Sequence, residues 1–183
     1  MDPLNLNEMV WGFTDESAQR INANTVRVWS KGKPVRKMNS DRVNVNVFGF
    51  YAVQGGSVIA FPGSSKKEDM CVFLDAVRDA NGDRIVLMIL DNSRIHHAKM
   101  VTEYAEELGI ILLFLPPYSP QFNPIEFIWK TVKAVISGLF LLCKEHLVAT
   151  VRETFMEEAE KQSYAEGWKK TFLTEYFSKK LGS

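Results

Sequence analysis

The chain has 183 residues, 46% hydrophobic and 24% charged, enough for one domain with a sizeable core and unlike a disordered or fibrous composition. Lys and Arg number 22 and Asp and Glu number 22, so any contact with nucleic acid has to rest on a local basic patch. The N-terminus lacks a basic-then-apolar leader pattern, and the apolar runs, Gly138 to Cys143 with its helical approach among them, are far too short to span a bilayer; the chain reads as soluble and cytoplasmic, with no membrane partner.

In chain order, strands are expected over 9–17, 25–30, 43–53 and 57–61, and the alternation of Val43, Val45 and Val47 with Asn44 and Asn46 gives one of them a polar face. A helix follows, capped by Ser64 or Ser65, with Met70, Phe73, Leu74 and Val77 at helical spacing and Asn81-Gly82 as its stop. Residues 84–90 form an uninterrupted apolar strand, 97–108 an amphipathic helix, 110–115 a second apolar strand and 124 to about 137 another helix. Two more helices are expected from Lys144 on, with a break near Ser163 to Gly167. Uninterrupted apolar strands separated by helices indicate parallel strands covered on both faces, and the alternating strands before them an antiparallel meander. The expected architecture is a single α/β domain over 1–183 with a mixed sheet, its core at about 8–137 and a helical part at about 144–180. Cys71 and Cys143, without a second Cys or His at metal spacing, read as buried free thiols suited to a reducing compartment.

Open α/β sheets bind ligands beyond the carboxyl ends of their strands. Asp91 ends the run RIVLMILD at such a place, Asp15 ends the first strand in VWGFTDES, and Glu126 opens the helix after the last strand. Each alone has a structural use: Asp91 as a helix cap, Glu126 as the closing residue of a capping box on Asn123 with Pro124 at the first helical position. Should Glu126 be only a cap, Glu16 is the next acid to consider. Carboxylates brought together raise one another's pKa, a cost that a hard divalent cation relieves. Two such ions suit in-line displacement at phosphorus, one at the attacking and one at the leaving oxygen.

Residues 90–136, LDNSRIHHAKMVTEYAEELGIILLFLPPYSPQFNPIEFIWKTVKAVI, resemble the core of the DDE-type transposases of bacterial and archaeal insertion sequences, relatives of the mariner-like elements. LDN…IH, LLFLPPYSPQFNPIE and the Trp that follows carry the likeness, and FTDES and VWSKGKPV resemble the first acidic motif and the hairpin after it. Between Asp91 and Glu126 lie 34 residues (92–125), as in that superfamily, and the resemblance spans about Val10 to Ile136. It implies a ribonuclease-H-like fold, with Asp15, Asp91 and Glu126 as catalytic ligands of two Mg²⁺ (or Mn²⁺) ions. It also implies cleavage and strand transfer on double-stranded DNA, transposon end and target, by a multimer, expected here as a homodimer. Only 14 residues precede Asp15, so the helix-turn-helix modules such transposases carry ahead of the catalytic domain are expected on a separate chain or reading frame, or lost. A relic that keeps the fold as a DNA-binding or dimerisation module, and another ribonuclease-H-like nuclease, are the alternatives.

Around the acids, Asn92 is expected to orient Asp91. His96 either assists there or is a neutral histidine in the first turn of the helix, and His97 takes the second reading. Pro116, Pro117 and Pro120 stiffen the loop that pre-positions Glu126. DNA phosphates are assigned to Arg27, Lys31, Lys33, Arg36 and Lys37, with Trp29 among them, and to Lys130 and Lys133 on the helix face that carries Glu126; Tyr118 is assigned to base stacking. The competing readings are a solvated hairpin, a solvated i,i+4 pair and a ring that covers the core. Leu139 to Leu142 belong to the core or to a self-association surface.

Overall fold

In the computed structural model, which describes residues 9–23, 31–32, 39–117 and 119–168, the apolar run before Asp91 becomes a strand flanked on both sides. In chain order the elements are β1 (Val10–Arg20), β2 (Asn44–Gln54), β3 (Val58–Ala60), α1 (Lys67–Asn81), β4 (Val86–Leu90), α2 (Lys99–Glu107), β5 (Ile110–Phe114), a 3-10 turn (Pro120–Phe122), α3 (Ile125–Gly138), α4 (Lys144–Glu160) and α5 (Ser163–Trp168). The sheet order is β3-β2-β1-β4-β5. β1, β2 and β3 pair antiparallel, and β4 lies parallel to β1 and to β5. This is the mixed sheet expected, a meander followed by parallel strands. The expected strand over 25–30 falls outside the described residues.

The pleat sends alternate side chains to opposite faces and so makes two cores. Trp11, Phe13 and Ile89 face α3, α4 and α5, whereas Val10, Val86, Met88 and Leu90 face α1 and α2. On α3, Ile125, Ile128, Trp129, Val132 and Ile136 are the buried stripe that the spacing predicts.

Several expectations change in detail. β1 does not end at Asp15; it runs on to Arg20 because β2 goes on pairing with it after β4 has stopped. β5, read as covered on both faces, is an edge strand whose Ile111 and Leu113 are 41% and 50% exposed among the described residues. The first helix starts at Lys67, and the carboxylate of Asp69, not a serine cap, accepts the Lys66 N–H at 3.2 Å. The expected break at 163–167 is itself helical; the turn comes earlier, at Lys161 and Gln162, where Gln162 takes φ 53°. Both cysteines are free, but Cys71 is half-buried and Cys143, at the start of α4, is exposed. Leu141 is core, whereas Leu139, Phe140 and Leu142 beside it are exposed. Among the described residues no helix is long and apolar enough to cross a membrane.

Candidate active site

The β1–β4 ladder ends with Phe13 against Ile89. Two residues further in the same register, Asp15 stands opposite Asp91, the first residue after β4. Alternation turns both carboxylates to the face that α3 covers, and Glu126 enters from the first turn of that helix. All three line one cavity of about 650 Å³, walled further by Asn92, Ser93, Pro116, Pro117 and Asn123. They share the cavity without closing on one point: among the described residues no three His, Cys, Asp or Glu side chains stand close enough to hold a single ion.

Asp15 is the most perturbed acid. Burial pushes its carboxyl up first, the Glu126 and Asp91 charges add to the effect, and the outcome is a pKa of about 7 despite hydrogen bonds that favour the anion. One of those bonds comes from Trp129, whose Nε1 donates to Oδ2 at 3.0 Å. Gly49, the cross-strand partner of Asp15, leaves the room: a Cβ there would lie 2.8 Å from the Trp129 ring.

Glu126 is exposed and does not form the capping box its motif suggests. α3 starts after Pro124 with no side-chain cap, and Asn123 is drawn away from the helix end, its Nδ2 donating to the Thr14 carbonyl at 3.1 Å. Asn123 thereby ties the start of α3 to β1 next to Asp15.

Asp91 accepts from the Ser93 N–H at 3.1 Å and from Nδ1 of His96 at 2.9 Å. His96 is not a neutral residue in the first helical turn; it lies in the loop before α2, 1% exposed, with Nε2 3.3 Å from Oε1 of Glu16. Burial alone would lower its pKa, but the hydrogen bonds to Asp91 and Glu16 and the two charges outweigh it and raise the value to about 9. In return the His96 hydrogen bond is the main cause that holds Asp91 below the usual carboxylate range. Among the described residues Asn92, expected to orient Asp91, makes its side-chain bonds elsewhere. Its amide donates to the Leu115 carbonyl at 3.5 Å and its Oδ1 meets His97, which stacks on Phe114 with centroids 4.0 Å apart.

Of the residues assigned to DNA, Lys31 and Lys130 are exposed and Lys133 is half-buried. Lys130 lies one turn beyond Glu126 on α3, and among the described residues no ion pair joins the two. Arg27, Trp29, Lys33, Arg36, Lys37 and Tyr118 lie outside the described residues. Sequence reasoning missed Trp129 as a partner of Asp15, since its helical spacing marks it only as core. The signal available was Gly49, a glycine inside an apolar strand, which points to close approach by another group.

A sequence model described as DDE superfamily endonuclease matches residues 10–148. The fold is similar to structures of Mos1. The strand transfer complex aligns at 17% identity with a TM-score of 0.61, over 90% of this chain and 53% of that one. The mariner paired end complex with Mg aligns at 17% and 0.63, over 93% and 56%. The catalytic domain of the mariner transposase alone aligns at 16% and 0.57, over 90% and 80%. The chain therefore spans about half the length of the chains in the two complexes. The likeness establishes the ribonuclease-H-like fold. Among curated proteins none matches the chain.

Proposed function

The chain belongs to the DDE superfamily endonucleases, and on that premise we propose that it is a transposase catalytic domain, which cuts double-stranded DNA at transposon ends and transfers the cut strand to target DNA. The observation that carries this reading is the meeting of Asp15 on β1, Asp91 just after β4 and Glu126 on α3 around one cavity at the end of the parallel ladder.

The donor set fits a hard divalent cation. All three side chains offer carboxylate oxygens, and Asp15 is raised to about 7 in part by the other two, a repulsion that a cation between them would relieve. Asp15, Asp91 and Glu126 would hold the metal. A pair of Mg²⁺ or Mn²⁺ ions there would supply Lewis-acid activation of the attacking and leaving oxygens at phosphorus. The chain's own groups supply position. Trp129 holds one oxygen of Asp15, Ser93 and His96 hold Asp91, and the Pro116-Pro117 wall restricts the backbone beside the cavity. Lys130, exposed one turn beyond Glu126, and Lys133 meet phosphates of the bound duplex; the basic stretch from Arg27 to Lys37 tracks the same backbone.

The same proposal includes a homodimer, with exposed Leu139, Phe140 and Leu142 as its contact, and a separate helix-turn-helix chain that reads the element ends. Mos1 is described in paired-end complexes with a transposon end, which is support by analogy.

The test is single-turnover nicking of a labelled duplex carrying the element ends, in Mg²⁺, Mn²⁺ or EDTA, with and without a supplied DNA-binding domain. Cleavage is expected in either metal and absent in EDTA, and Asp15→Asn should lower it by several orders of magnitude. A folded chain that cuts no duplex under any of these conditions overturns the proposal.

A further inference from the structure

His96 occupies the place where strand pairing has run out. Backbone hydrogen bonds hold β1 beside β4 only as far as Phe13 and Ile89, yet the two carboxylates whose separation matters, Asp15 and Asp91, lie two residues beyond that last rung. Asp91 belongs to a loop, its side chain is 54% exposed, and its bond from the Ser93 N–H ties it only to that same loop. Something else has to fix it relative to β1. The imidazole of His96 spans that gap, with Nδ1 2.9 Å from Oδ1 of Asp91 and Nε2 3.3 Å from Oε1 of Glu16 on β1. Glu16 follows Asp15 in the strand and so points to the opposite face, towards the loop that carries His96.

Burial makes the link selective. The ring is 1% exposed, and Nε2 of His96 and Oε1 of Glu16 are both shut off from water and without an aligned hydrogen bond among the described residues, so their 3.3 Å contact is an ion pair. A buried ring nitrogen and a buried carboxylate oxygen left apart would each lose solvation without return, so each needs the other. The backbone N–H of His96 donates to the Ser93 carbonyl at 3.1 Å, which closes the turn that carries the ring.

We propose that His96 is a positioning residue: anchored on Glu16, it ties the Asp91 carboxylate to β1 and sets the spacing of Asp15 and Asp91 at which a divalent cation is held. The inference rests on the metal-site reading above, and gives Glu16 a role as an anchor that is not a ligand. Loosening the anchor leaves all three ligands in place but makes them costlier to bring together. Metal should then bind more weakly, while the rate once metal is saturating stays close to that of the wild type.

The experiment uses the full chain and measures two quantities: half-saturation by Mn²⁺ without DNA, from the spectrum of free Mn²⁺, and half-saturation by Mg²⁺ in nicking. Glu16→Ala and His96→Asn should each raise both by about 10-fold, as loss of a group that orients a ligand usually does, with the rate at saturating metal within about 3-fold of wild type. Tyr104→Phe, which removes the hydrogen bond from Tyr104 to Asp75 on the far side of the sheet, is the stability control and should leave both constants unchanged. Should His96→Asn fail to fold, Glu16→Gln carries the test, since it keeps size and an acceptor and should fall between wild type and Glu16→Ala. Wild-type metal affinity in folded Glu16→Ala overturns the proposal, and so does complete loss of Mn²⁺ binding, which would make Glu16 a ligand. A wild type that binds Mn²⁺ and weakens as expected in Glu16→Ala, yet cuts no DNA, overturns the nuclease reading alone.

Discussion

Nε1 of Trp129 donates to Oδ2 of Asp15 at 3.0 Å across the space that Gly49 leaves open. A core residue of α3 thus holds a carboxylate in the middle of β1, and the helix that brings Glu126 to the cavity also fixes the acid opposite it.

Breaking this arrangement from either side should produce the same two effects. Trp129→Phe keeps most of the buried ring but removes the donor, and should lower unfolding free energy by about 1–3 kcal/mol. Gly49→Ala places a Cβ against the rings of Trp129 and Phe155 and should cost about 1–3 kcal/mol through displaced packing. Urea unfolding measures the first effect. The second is on nicking, which should fall in both variants at temperatures where each remains folded. Wild-type nicking in Trp129→Phe would mean that Asp15 does not need this donor.

Asp15 makes a prediction about pH. In EDTA its carboxyl, raised from 3.8 to about 7, binds a proton more tightly in the folded than in the unfolded chain. The stability it contributes is present below about pH 4 and is lost as pH rises towards 7. Asp15→Asn keeps an acceptor for Trp129 but cannot ionise, so at pH 8 in EDTA the variant should be more stable than wild type, by about 2–4 kcal/mol. At pH 4 the two should coincide. Adding Mg²⁺ at pH 8 should raise the melting temperature of wild type and leave the variant almost where it was. A variant less stable than wild type at pH 8 would show that Asp15 is not a repelled carboxylate.

What the sequence revealed and what it hid follow from how far each feature depends on distant partners. The short apolar run that becomes β4 fits a covered strand bounded by polar turns, so Asp91 at its end was legible, and so was the apolar stripe of α3. The extent of β1 was not, because it is decided by β2, more than twenty residues away, which keeps pairing past the end of β4. Asn123 and Pro124 carry strong local signals for a helix cap, yet the tertiary bond from Asn123 to Thr14 prevails over them. For His96 the sequence left two readings, assistance at Asp91 or a neutral histidine near a helix start, since nothing local indicates that Glu16, eighty residues earlier, lies against its other nitrogen. The exposed face of β5 was hidden for a similar reason: an apolar run does not say which side the fold will cover.

With no net charge to attract DNA, binding should depend on local cations alone. Binding of this chain to duplex should therefore be nearly indifferent to sequence and fall steeply with salt. Lys130→Ala should weaken it uniformly across sequences and reduce the slope of log affinity against log salt by about 1. Fluorescence anisotropy from about 50 to 200 mM salt makes the comparison. An unchanged slope would place Lys130 away from the phosphate backbone.

Glu126 separates cap from ligand most sharply, because the two roles make different demands on one side chain. A capping box accepts Gln as well as Glu at its third helical position, and a hard-cation site needs the charge. The structure has already removed most of the case for a cap: α3 has no side-chain cap, and Asn123 is engaged with Thr14. Glu126→Gln should therefore change stability by no more than about 0.5 kcal/mol, the residual effect of a charge near a helix N-terminus. Melted in EDTA and again in Mg²⁺, it should match the wild-type melting temperature in the first and fall short of it in the second. Nicking should drop by several orders of magnitude. Glu126→Asp keeps the charge but shortens the reach by one methylene, so metal should still raise its melting temperature, to a smaller extent, while nicking falls. If Glu126→Gln nicks duplex DNA at the wild-type rate, the exposed carboxylate at the start of α3 is not part of the site, and the cavity holds its metal on Asp15 and Asp91 alone.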